Sequence, residues 1–187
     1  MATSPLPDAH RQLSKFLSLV LRHQPGTIGL SLDEAGWAEV NHLLTRLNQH
    51  GHAVTRETLE AVVAGSDKQR FAFSPDGQRI RANQGHSVTV DLGYTPQTPP
   101  EALYHGTAER NLPAIRSAGL LRQQRHHVHL SADVDTAHRV GQRHGRPVVL
   151  RIAAADMART GYAFFLSENG VWLTEAVPPQ FIGFPAE

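Results

Sequence analysis

Cysteine is absent from all 187 residues, which excludes disulfides, thiolate catalysis and cysteine–zinc sites. Lysine is nearly absent too, since 16 of the 18 Lys+Arg residues are arginine. No run of about 18 apolar residues occurs, so no membrane-spanning helix is predicted. The stretch "MATSPLPDAHRQ" lacks the basic and apolar regions of a secretory signal, and the cytoplasm is the expected location. Neither GxGxxG nor GxxxxGK(S/T) appears, so Rossmann dinucleotide binding and P-loop chemistry have no support. Spacing reveals no Ser-His-Asp set and no carboxylate pair. Charge of one sign is lacking as well: the net charge of +1 makes no global claim on nucleic acid.

What remains is an ordinary globular composition, 40% hydrophobic and 19% charged, long enough for one large domain or two small ones. Arginine's planar fork suits bidentate phosphate recognition. Genomic base composition can equally enrich arginine, so the argument turns on particular positions.

The first is "LSLVLRHQPG". From Asp8, read as an N-cap, apolar residues recur at Leu13, Phe16, Leu17, Val20 and Leu21, which is helical spacing running into Arg22 and His23. Two cations at a helix C-terminus offset its partial negative charge. The alternative is that they await an anion. A second helix is predicted near Asn41 with Leu43, Leu44 and Leu47, stopping at Gly51. A third opens at Thr55, presents Leu59, Val62 and Val63, and ends at Gly65. In "RFAFSPDGQRIRA" the residues then alternate about a Ser-Pro-Asp-Gly turn, a hairpin signal. Phe71 and Phe73 share one face of it, leaving Arg70 opposite, while Arg79 and Arg81 alternate with Ile80. Three helices and a hairpin give the order of a winged-helix module.

"LGYTPQTPPEA" (92–102) reads as a linker. Beyond it the pattern is mixed: a strand near Leu103 and Tyr104, a helix over 108–118 stopped by Gly119, an extended "HHVHLS", and a helix over 133–144. The strand "PVVLRIA", a hairpin about Asn-Gly in "FFLSENGVWLT" and a final strand in "QFIGF" follow. The fold class is therefore α+β.

"RQQRHHVHLS" is the densest polar cluster. As a strand it would put His127 and His129 on one face with Arg125, and His126 on the other. Two histidines beside a fixed cation make a poor metal cage, so an anion or hydroxyl contact and a plain polar strand edge are the competing readings. In "YHGT" (104–107) a turn explains Gly106 without any ligand.

Taken in order, "SKFLSLVLRHQP", "GWAEV", "RFAFSPDGQRIRANQGHS", "YHGT", "RHHVHLS" and "NGVWLTEAVPP" give a sequence that resembles the RNA 2'-phosphotransferase family from about Leu13 to Phe184. These are the tRNA 2'-phosphotransferases, whose second domain is similar to ADP-ribosyltransferases. The resemblance implies a winged-helix-like lobe over 1–92 and a linker over 93–100. An ADP-ribosyltransferase-like lobe would follow over 101–187, with the active site in the cleft between lobes. It implies removal of an internal 2'-phosphate from RNA, of the kind left at tRNA splice junctions. NAD+ is consumed as co-substrate and no metal is required. The phosphate attacks the anomeric carbon of the nicotinamide ribose and expels nicotinamide, giving a 2'-phospho-ADP-ribosyl RNA. The ribose 2''-hydroxyl then attacks phosphorus, releasing 2'-hydroxyl RNA and ADP-ribose 1'',2''-cyclic phosphate.

A phosphomonoester carries nearly two charges at neutral pH, and arginine contacts can both orient it and stabilise its transition state. The family's Arg-His-Arg-Arg set falls on Arg22, His23, Arg70 and Arg125. The first three would grip the RNA phosphate, and Arg125 would bridge phosphate and ribose. His23 would pass a proton or serve as a plain donor. For NAD+, the resemblance assigns His105 and Thr107 to the adenosine side or its ribose, Gly106 to close backbone approach, and Ser131 to the nicotinamide ribose, with His127 and His129 bracing. Asn83, Gln84, His86 and Ser87 touch RNA or fix the domain junction. Gln24 stands where the family commonly has lysine, and Glu168 and Glu175 receive no role. A monomer is expected. Two other readings share these residues: an ADP-ribosyltransferase acting on nucleic-acid terminal phosphates, and a non-catalytic winged-helix binder.

Overall fold

Leu13, Leu17, Val20 and Leu21 fall along one side of a helix, and burying that side is what organises the first part of the chain. In the computed structural model, which describes residues 8–66 and 69–185, helix α1 runs Asp8–Arg22 with those four residues buried. Asp8, expected as the cap, is itself helical and pairs with Arg11 one turn on. The expected helix near Asn41 begins one residue earlier, as α2 (Val40–Gln49). Helix α3 (Arg56–Ala64) is capped by Thr55, whose side chain accepts from the Thr58 amide; such a cap contributes about 1 kcal/mol.

Strands β2 (Phe71–Phe73) and β3 (Arg79–Ala82) form the hairpin, with Phe71 opposite Ala82 and Phe73 opposite Ile80. A two-residue strand β1 (Ala38–Glu39), which no local pattern announced, pairs antiparallel with β3 and makes the sheet order β1-β3-β2. Ile80 and Ala82 face a core built with Leu17, Leu21, Leu43, Leu47, Leu59 and Val62, each fully buried. Arg79 and Arg81 face away, yet they are not simply solvated: their guanidiniums lie 5.4 and 4.5 Å from the Trp37 ring centroid.

The chain divides into two units, Met1–Gly93 and Tyr94–Glu187, and residues 91–102 hold no helix or strand. In the second unit β4 (Leu103–Ala108) pairs antiparallel with β7 (Pro147–Ile152), which also pairs with β11 (Ile182–Gly183). A second sheet has the order β6-β9-β8, from β6 (Val128–Leu130), β9 (Trp172–Thr174) and β8 (Phe164–Leu166). The Asn-Gly hairpin joins the last two, with Gly170 at φ 76° accepting the backbone turn that other residues resist. Strands β5 (Leu120–Leu121) and β10 (Ala176–Val177) pair separately.

Several expected elements are shorter. The helix predicted over 108–118 is a 3₁₀ turn (Glu109–Asn111) followed by α4 (Leu112–Ala118). Pro113 explains this: it fits the first turn of a helix but would break one begun at 108. The helix over 133–144 is α5 (Val134–Gly141), capped by Asp133, with a 3₁₀ turn Gln142–His144 beyond it. Of "QFIGF" only Ile182 and Gly183 are extended. A short helix α6 (Ala154–Arg159) was not foreseen from its six residues.

Candidate functional site

Helix α1 delivers Arg22 as its last residue, and His23 follows outside it. Arg22 Nη2 donates to the main-chain carbonyl of Arg70 at 3.3 Å, across 48 residues of sequence. The same carbonyl accepts from the Asn83 amide at 3.0 Å, so the start of β2, the end of β3 and the end of α1 are tied at one atom. Arg70 itself reaches Ser66 Oγ with Nη1 at 3.3 Å. His23 Nδ1 lies 2.9 Å from Ser87 Oγ, and the Arg22 carbonyl accepts from the Ser87 amide at 2.9 Å. Arg22, His23 and Arg70 are therefore gathered in one place.

The stretch "NQGHS" builds the support for that place. Asn83 is buried, and its side chain donates to the Gln69 carbonyl at 2.6 Å. His86 is 1% exposed, while Ser87 holds both Arg22 and His23. The hydrogen bonds of Arg22 to the Arg70 carbonyl and of Arg70 to Ser66 fix the directions of two guanidiniums within one unit. Arg22, His23 and Arg70 are each held by a hydrogen bond to a main-chain or serine oxygen. Ser66 was not singled out from the sequence, and nothing in its spacing signals the contact.

In the second unit the Tyr104–Ser131 bridge, with amide-to-carbonyl bonds of 2.8 Å in both directions, joins β4 to the end of β6. His105 Nδ1 donates to the His129 carbonyl at 3.0 Å. A carbonyl only accepts, so Nδ1 carries the proton and Nε2 keeps its lone pair. Burial pushes the His105 pKa down from 6.5, and the nearby His144 acts in the same direction; the ring is neutral at pH 7. Arg125 Nη1 lies 3.4 Å from His129 Nδ1. Burial lowers the Arg125 pKa, though a guanidinium stays charged in proteins. His105, Arg125, His129 and Ser131 are thus neighbours.

Arg125 and the histidines do not share a strand face as expected. The strand is only Val128–Leu130, and Arg125, His126 and His127 precede it in a turn closed by the Arg125 amide on the Arg122 carbonyl at 3.1 Å. The turn, begun with Gln123 at φ 55°, sends His127 elsewhere, edge-on to Phe165 at 5.4 Å. His127 and His126 line a pocket of about 380 Å³ with Tyr162, Phe165, Thr174 and Glu175. Burial lowers the His127 pKa, the neighbouring His126 and Arg122 add to this, and Glu175 opposes it. None of His105, Gly106, Thr107 and Ser131 lines that pocket.

Gly106 and Thr107 have structural partners. A Cβ on Gly106 would stand 1.7 Å from the Ala137 carbonyl oxygen, so the glycine is what lets α5 lie on β4. Gly141, from the other side, would meet the Thr107 carbonyl at 2.8 Å. Thr107 is 5% exposed, and its Oγ1 accepts from Asn111 at 3.1 Å, a contact invisible in the sequence. Among the described residues no three His, Asp or Glu side chains gather to hold a metal. Nor is any helix among them long and apolar enough to cross a membrane.

The comparisons agree with one another. The family model described as RNA 2'-phosphotransferase, Tpt1 / KptA family, matches residues 8–176. The chain is 57% identical over 169 residues to a probable RNA 2'-phosphotransferase of Hahella chejuensis, covering 90% of this chain and 91% of that one. It is 56% identical over 173 residues to the protein of the same description from Rhodopirellula baltica, covering 92% and 94%. With the Streptomyces coelicolor protein, also a probable RNA 2'-phosphotransferase, identity is 54% over 175 residues, covering 94% and 95%. With nearly the full length matched at these identities, the chain belongs to the RNA 2'-phosphotransferase (Tpt1 / KptA) family of enzymes.

Proposed function

We propose that the protein removes an internal 2'-phosphate from RNA by transferring it to NAD+, leaving 2'-hydroxyl RNA, nicotinamide and ADP-ribose 1'',2''-cyclic phosphate. The observation that carries this reading is the meeting of Arg22, His23 and Arg70 at the tied end of α1. A phosphomonoester is recognised by several directed, charge-assisted donors, and two arginines and an imidazole oriented by Ser66, Ser87 and the Arg70 carbonyl are donors of that kind.

In this reading the RNA phosphate lies against Arg22, His23 and Arg70, which orient it as the nucleophile. Arg125 bridges phosphate and ribose. A phosphate oxygen bonds to the anomeric carbon as the bond to nicotinamide breaks. The ribose 2''-hydroxyl then bonds to phosphorus as the RNA 2'-oxygen leaves and takes a proton. Charge gathers on the phosphoryl oxygens in that second step, and fixed guanidiniums need no reorganisation to meet it. The residues assigned to NAD+ fit a ribose in one respect the geometry supports: with Nδ1 bound to the His129 carbonyl, His105 Nε2 can accept from a hydroxyl. Thr107 and Gly106, engaged by Asn111 and α5, would act through the main chain and through positioning.

The first unit's order, with a strand between α1 and α2 and a hairpin after α3, supports a winged-helix assignment. The second unit's small antiparallel sheets support the ADP-ribosyltransferase-like one.

The test is incubation with a short RNA bearing one internal 2'-phosphate, with and without NAD+, following RNA and nucleotide by mass spectrometry. Loss of the phosphate only with NAD+, together with nicotinamide and the cyclic phosphate, is the expected result. RNA that keeps an added ADP-ribose would assign a different acceptor chemistry, and unchanged RNA would overturn the reading.

A further inference from the structure

Exposed basic residues gather in the second unit where three segments meet. Arg139 stands in the last turn of α5, and Arg143 and His144 form the 3₁₀ turn after it. Gly145, at φ 134°, turns the chain back toward β7. Arg146 follows, with its carbonyl accepting the Glu109 amide at 3.0 Å. Arg110 comes from the far end of β4, and its Nη1 lies 3.3 Å from where a Cβ on Gly145 would be. The four arginines and His144 are all exposed.

Glu109 is tied into this group, paired with Arg146 at 3.2 Å. Asp133 caps the start of α5, and Arg139 belongs with it: its Nη2 donates to Thr136 Oγ1 at 2.9 Å and its charge acts on Asp133. Cations in a last turn offset the helix dipole, which accounts for Arg139. It does not account for Arg110 and Arg146, which arrive from other segments. His144 acts electrostatically on His105, so the cluster borders the strand assigned above to the reaction.

We propose that Arg110, Arg143 and Arg146 dock the phosphate backbone of the RNA substrate, beyond the nucleotide that reacts. This rests on the proposed function, in which RNA is the substrate. Arginine forks match phosphate oxygens, and neutralising backbone phosphates makes affinity fall with salt in proportion to the contacts made. The spread over three segments, on an open surface, suits an extended polyanion. A pyrophosphate would need one or two cations in an enclosed pocket.

The experiment compares wild type with Arg110→Glu/Arg143→Glu and with the milder Arg110→Gln/Arg143→Gln, whose retained melting temperature separates docking from folding. Binding of a tRNA-length RNA is read by fluorescence anisotropy without NAD+, and turnover is read on that RNA and on a short oligonucleotide, each bearing one 2'-phosphate. Expected are affinity for the long RNA weakened by about tenfold or more and a salt slope smaller by about 2. KM rises for the long substrate only, while kcat and the KM for NAD+ stay at wild-type values. Unchanged binding of the long RNA, equal loss on both lengths, or a raised KM for NAD+ would each overturn the proposal. Wild-type protein that leaves the 2'-phosphate in place defeats the proposed function instead, and the anisotropy comparison still decides the docking surface.

Discussion

Arg22 reaches the main chain of Arg70, not its side chain: the Nη2 donor stands 3.3 Å from the Arg70 carbonyl. One guanidinium thereby fixes where the second one starts. Its ring neighbour is Phe71, whose centroid lies 6.0 Å from the Arg22 Cζ, and Phe71 is a core residue. The cationic site is anchored to the packed interior through that contact.

Arg22→Ala removes both a phosphate donor and the strut that positions Arg70. Steady-state kinetics on 2'-phosphorylated RNA should show kcat/KM reduced by about 100-fold or more, the scale of losing one aligned donor in a transition state. Arg22→Lys keeps charge but not the fork, and should recover only part of the loss. Wild-type rates for Arg22→Ala would remove it from the site.

Arg125→Ala should abolish turnover while leaving RNA affinity nearly intact, because the phosphate grip is assigned to Arg22, His23 and Arg70. Paired anisotropy and product assays check this. A variant that binds RNA poorly and turns over what it binds would reverse the assignment.

His105 links stability to pH. Its folded pKa is held below 6.5 by burial, so on acidification the unfolded chain takes up the proton first. The stability contribution is complete above about 6.5 and is lost as pH falls through the depressed folded value. His127 is depressed as well and adds to the trend. Melting temperatures of wild type and His105→Asn, measured between neutral and acidic pH, should converge as pH drops, because the asparagine amide can still donate to the His129 carbonyl but does not titrate. Parallel curves would show that His105 does not carry the dependence.

Gly106→Ala should destabilise the second unit by about 3 kcal/mol or more, since the new methyl would overlap the Ala137 carbonyl and rigid backbone must move. Gly26→Ala, with nothing within 4 Å of the added carbon, is the control and should leave the denaturation midpoint almost unchanged. Equal midpoints for the two variants would refute the close packing of α5 on β4.

Local signals were legible wherever burial follows a regular period or a turn demands a residue type. Helix α1, the Thr55 cap, the hairpin about Ser-Pro-Asp-Gly and the one about Asn-Gly all read from a few neighbouring residues, because each is stabilised mainly by its own spacing and backbone preferences. The proposed set Arg22, His23, Arg70 and Arg125 comes from resemblance and not from charge, which is too evenly spread to single them out.

Sequence by itself determined the helical and alternating faces, the absence of thiol chemistry and the family. Tertiary structure decided the rest. Strand β1 exists only because Ala38 finds Ile80, and two residues carry no period of their own. Whether Gly106 serves a ligand or a helix depended on where Ala137 came to lie. The tautomer of His105 was set by a carbonyl 24 residues away, and the gathering of Arg22 and Arg70 by a bond spanning 48. Such pairings are long-range, and the free energy that selects them comes from packing two separate cores, which no short window of residues contains.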